Sequence, residues 1–130
     1  MREELDKLKK KLRDLSIQSM GVDILKDAKN NMKIALAANV VGNLLQLKDD
    51  LDANEVDSDE VRELKDMFND GGPAKTDASE SCFKDCLNSF PSSVRTQASE
   101  YINSMRSLYE QAVSEITEKL NNFSKSPGMK

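Results

Sequence analysis

The sequence has no histidine and no tryptophan, and its 130 residues include only two cysteines, three prolines, five glycines, two tyrosines and four phenylalanines. Without histidine the chain lacks the commonest general base near neutral pH and the commonest zinc and haem-iron ligand. That excludes most His-dependent hydrolases, zincins and globin-like proteins. So few aromatic and turn residues argue against a β-rich fold. Long hydrophobic runs are missing as well. The longest uncharged stretch, residues 34–47, contains Asn39, Asn43 and Gln46 and falls short of the roughly 18 apolar residues of a membrane-spanning helix. Residues 1–15 alternate charge with leucine and contain no apolar h-region of a secretory signal. The expected location is cytoplasmic, with secretion, by a removed signal or without one, as the alternative.

The charge that is present is uneven. Lys plus Arg number 19 and Asp plus Glu 23, for a net charge of -4, yet residues 51–90 alone hold eleven acids against four bases. The densest segment contains Asp49, Asp50, Asp52, Glu55, Asp57, Asp59 and Glu60 and no basic residue. Such a field repels phosphate backbones, since nucleic-acid binders gain affinity by replacing counterions with Lys and Arg on one face. Lys9, Lys10, Lys11 and Arg13 are clustered but sit among Glu3, Glu4, Asp6 and Asp14, the pattern of a solvated helix face. Nucleic acid is not a favoured partner.

Hydrophobic spacing predicts helices throughout. Leu5, Leu8, Leu12 and Leu15 alternate at three and four residues, the rhythm of one helix face. At Gly21 the sequence leaves open a left-handed cap, with Asp23 starting a second helix, or a costly interior glycine. From about Val22 to Ala53 two apolar faces emerge at 100° per residue. Leu25, Met32, Leu36, Val40, Leu47 and Leu51 form one, and Ile34, Ala38, Val41 and Leu45 lie almost opposite. Asp57 with Glu60 reads as a capping box opening a third helix, with Val56 and Val61 as its staple. Asp70-Gly71-Gly72-Pro73 is its terminator. Asp77 with Glu80 offers a second box, for a short helix carrying Cys82, Phe83, Cys86, Leu87 and Phe90 up to Pro91. One broad apolar stripe then runs from about Ser92 to Phe123, and residues 124–130 read as a tail.

Candidate chemistry is sparse. Asp50, Asp52 and Asn54 match the first positions of a calcium loop, but Glu55 stands where the loop needs glycine and Val61 where it needs a bidentate acid. Cys82 and Cys86, at i,i+4, hold their Cβ atoms about 5–6 Å apart on a helix, too far for a disulfide. Two small buried hydrophobes beside Phe83 and Phe90 outweigh metal clamping, an intermolecular disulfide or a bridge in an unwound turn. No nucleophile elbow, Walker loop or dinucleotide fingerprint occurs. No catalytic residue, metal site or cofactor is expected.

The expected fold is all-α: one domain over residues 1–123, an elongated helical bundle built on two long antiparallel helices, the second and the last, with two short bridging helices. The expected function is non-enzymatic, binding another protein or a second copy through apolar helix faces. Ile34, Ala38, Val41 and Leu45 are its candidate contacts, unless the short helices fold back and bury them, and the acidic segment provides steering. Lipid association through amphipathic helices is the alternative, disfavoured by the negative charge and missing Trp. A third reading is an acidic inhibitor seated in a nucleic-acid-binding groove.

Overall fold

The computed structural model describes residues 1–53, 56–69 and 78–125. Among these the chain is helical, with no strand: α1 (Arg2–Met20), α2 (Ile24–Asp52), α3 (Ser58–Phe68), α4 (Ala78–Asn88) and α5 (Arg95–Lys125), the last preceded by a 3₁₀ turn at Ser92–Val94.

The leucine rhythm of α1 buries Leu5, Leu12 and Leu15, while Glu3 and Glu4 in its first turn complement the helix dipole. Gly21 closes the helix in the right-handed conformation (φ -60°), not the left-handed one, and its N–H donates to the Ile17 carbonyl at 2.8 Å. A Cβ at this position would collide with that same carbonyl oxygen, which accounts for glycine here. Two residues on, Asp23 is extended and its carboxylate accepts the Lys26 N–H at 3.1 Å, capping α2. The chain therefore reverses at Gly21, and α1 packs antiparallel on α2. Arg2 meets Asp49 at 2.9 Å near one end, and the Ser16 hydroxyl donates to Asp27 at 2.6 Å near the other.

The expected antiparallel pairing of the second and last helices is overturned. Lys48 pairs with Glu115 at 3.0 Å, and four residues further along both helices Asp52 pairs with Lys119. Residue numbers rise together, so α2 and α5 run parallel. The physical reason lies in the connection. About forty residues separate the two helices, enough to carry the chain back to the starting end. α3 packs against the C-terminal half of α5, through Val61 and Phe68 on Val113, Ile116 and Leu120. α4 covers the N-terminal half, where Glu80 binds Arg106 at 2.6 Å and the Phe83 ring meets Tyr109 edge-on at 6.0 Å. Of the two short helices, α4 packs on both α2 and α5, while α3 packs chiefly on α5.

Local signals near α3 act as the sequence implies. Asp57 is its N-cap, accepting the Glu60 N–H at 2.9 Å, and Val56 packs against the cluster that holds Val61. The Asp70–Pro73 terminator, Asp77 of the second capping box and the 126–130 part of the tail lie outside the described residues.

Candidate docking face

The four side chains expected to meet a partner lie in the chain's own core. Ile34 and Val41 are fully buried, and Ala38 and Leu45 are 4% and 3% exposed, packed with residues of α1, α4 and α5. The face has more neighbours than the two bridging helices because α1 folds onto it and α5 lies along it. In this arrangement Ile34, Ala38, Val41 and Leu45 hold the bundle together and present no surface outward.

The acidic segment is likewise drawn into the fold. Asp49 binds Arg2, Asp50 accepts from Gln46 at 3.0 Å, Asp52 pairs with Lys119, and Asp57 caps α3. Asp59 and Glu60 are exposed, while Glu55 lies outside the described residues. Both cysteines are free thiols. Cys82 is half-buried; Cys86 is buried, and loss of solvation pushes its thiol up to about 12. A thiol held protonated in this way is a poor nucleophile and a poor metal ligand. Among the described residues no cluster of three or more His, Cys, Asp or Glu side chains is placed to hold a metal, and no helix is long and apolar enough to cross a membrane.

What remains is the other apolar face of α2. Leu51 from this face is buried under α3 and α5, and Val40 and Leu47 are half-buried, but Leu25, Met32 and Leu36 are 72%, 63% and 52% exposed. Six of the seven large apolar side chains left exposed among the described residues fall between Ile17 and Leu36; Met67 on α3 is the seventh. Ile17 belongs to α1, one residue beyond the Ser16–Asp27 bond, so it stands at the same end of the hairpin as Ile24 and Leu25. Apolar side chains scattered singly on a surface need no explanation, but a run of them on one hairpin does.

Charge follows the same division. Residues 9–36 and 80–106, which build the half of the bundle with the exposed run, carry ten basic and six acidic side chains; residues 1–8, 37–53, 56–69 and 107–125 carry seven and fourteen. Lys26, Lys29 and Lys33 stand on α2 beside the exposed stripe, and Lys10 and Arg13 precede Ile17 on α1. The exposed residues were visible in the sequence as one of two faces. Which face the other helices cover is decided by long-range packing, which periodicity does not encode. No protein-family model, no curated protein and no solved structure matches the chain.

Proposed function

We propose that this is a non-enzymatic interaction protein that docks on another macromolecule through the outer face of the α1–α2 hairpin. The observation that carries the reading is the continuous exposure of Leu25, Met32 and Leu36, with Ile17, Val22 and Ile24 at the same end. Water-exposed apolar area of this extent is costly unless a partner covers it part of the time, at roughly 25 cal/mol per Å². Binding is favoured over catalysis, since in the densest acidic segment Asp52 is taken up by an ion pair and Asp57 by a helix cap, and the more buried thiol is protonated. An adaptor or structural role fits this arrangement. The acidic-inhibitor reading has less support, because Asp49, Asp50, Asp52 and Asp57 are engaged within the fold.

The test is photo-crosslinking in the cells that make the protein. A photoreactive residue at Met32 is expected to give discrete adducts that vanish with Leu36→Glu, while the same residue at exposed Asn103 gives none. Equal labelling at both positions, or none at either, would remove the basis for a docking face.

A further inference from the structure

We infer that the outer trough of the α1–α2 hairpin takes an acidic amphipathic helix from another protein. This rests on the docking reading and adds the chemistry of the occupant. Two packed helices make a groove on each side. One side of this hairpin is filled by α5, where Lys11 of α1 sits over the Tyr101 ring at 5.5 Å. The opposite side has no occupant among the described residues.

Its lining has the period of a helix seam. Leu25, Ala28, Met32, Ala35, Asn39 and Gly42 alternate at spacings of three and four, the repeat that keeps one face of a helix against another. All six are exposed or half-buried. Ala28, Ala35 and Gly42 make a low floor that lets a second backbone approach. A Cβ at Gly42 would come into ordinary contact with Leu5 Cδ2 at 3.9 Å, so at this end the floor is bounded by α1 but has no clash to relieve. Leu25 and Met32 stand up beside it as knobs. The seam spans about 27 Å at 1.5 Å per residue, room for a partner helix of about five turns. A bilayer would gain little from immersing Asn39 and Gly42, whereas helix seams accept a polar residue at one position and use it to fix register.

Charge selects among helices. Lys29 and Lys33 flank the seam on α2, and on α1 Lys9, Lys10 and Arg13 share one surface with Asp6, Asp14 and Ile17, so cations outnumber carboxylates five to two. The same face of a second copy would bring these cations against each other, while a helix with Glu or Asp beside its apolar stripe pairs with them.

The probe is a synthetic helix of about 20 residues with Leu at alternating three and four spacing and Glu at the flanks; its control carries Lys in place of Glu. By fluorescence anisotropy the Glu peptide is expected to bind, and the Lys peptide not. Met32→Glu or Ala28→Trp should weaken binding at least about tenfold. The double variant Lys29→Glu, Lys33→Glu should reverse the preference. All these positions are exposed or half-exposed, and unchanged helicity by circular dichroism verifies the fold. Equal binding of the two peptides, or of neither, overturns the inference. So does co-sedimentation with phosphatidylserine vesicles that Met32→Glu abolishes, which would make the occupant a lipid surface. A dimeric mass by light scattering that the same variant halves would make it a second copy. In both of these cases the docking face survives and only its occupant changes; absence of adducts at Met32 in cells would remove the face itself.

Discussion

Asn30 Nδ2 lies 2.6 Å from Ser89 Oγ inside the contact between α2 and α4, and Ser89 in turn donates to the Cys86 carbonyl at 2.5 Å. The Asn30 side chain is fully buried, and its Oδ1 accepts from none of the described residues. A polar group held this way fixes how α4 returns to α2 more than it stabilises the fold. Asn30→Ala is expected to cost about 1–3 kcal/mol, from the lost bond and the space left behind. Asn30→Leu should cost less, because it removes the unpaired oxygen and fills the volume while Ser89 keeps its carbonyl. Urea unfolding of the two variants orders them; Leu worse than Ala would show that the site is not dry.

Two charge substitutions on α2 separate core from surface. Val41→Glu places a carboxylate among apolar side chains and is expected to abolish cooperative folding, since an unpaired buried charge costs several kcal/mol. Met32→Glu, nine residues earlier on the opposite face, should move stability by no more than about 0.5 kcal/mol. Thermal melts followed by circular dichroism read both. A folded Val41→Glu protein would return that face to the list of docking surfaces.

The direction of the last helix is tested by a double-mutant cycle at Lys48 and Glu115. The pair is partly sheltered, with side chains 26% and 35% exposed, so its coupling is expected near the top of the 0.2–1 kcal/mol range of exposed pairs. Lys48→Glu and Glu115→Lys should each destabilise, and the doubly reversed protein should recover most of the loss. Simple additivity of the two costs would mean that the helices are not in this parallel register.

Most of the helices are legible in the sequence because their signals are local. The leucine spacing of α1, the cap at Asp57 and the stop near Pro91 each depend on side chains a few residues apart. Direction and coverage are different in kind. Whether α5 runs with or against α2 depends on where some forty residues of connection lead, and the ion pairs that report it join positions 67 apart. The small-residue floor of the proposed seam was hidden for a different reason. Ala28, Ala35 and Gly42 add almost nothing to a hydrophobic pattern, although an approaching helix would exploit their small size.

Cys86 makes the alkaline limb of stability predictable. Its thiol is raised from the ordinary 9.0 to about 12 by burial, so between those values the folded chain retains a proton that the unfolded chain has lost. The folded state therefore binds more protons, and stability must fall as pH rises through that window, by up to about 1.4 kcal/mol per pH unit. Below the unfolded value the contribution is fully present and flat. Cys86→Ala removes this slope, though it lowers stability at neutral pH by leaving a small cavity. Urea midpoints measured from about pH 7 to about pH 10.5 are therefore expected to converge for wild type and variant as pH rises. Half-buried Cys82 should react with a thiol reagent in the folded protein, while Cys86 waits for unfolding. Midpoint curves that stay parallel across the range, together with equal labelling of both thiols, would show that Cys86 is open to solvent and that α4 does not pack on α2 and α5 as described.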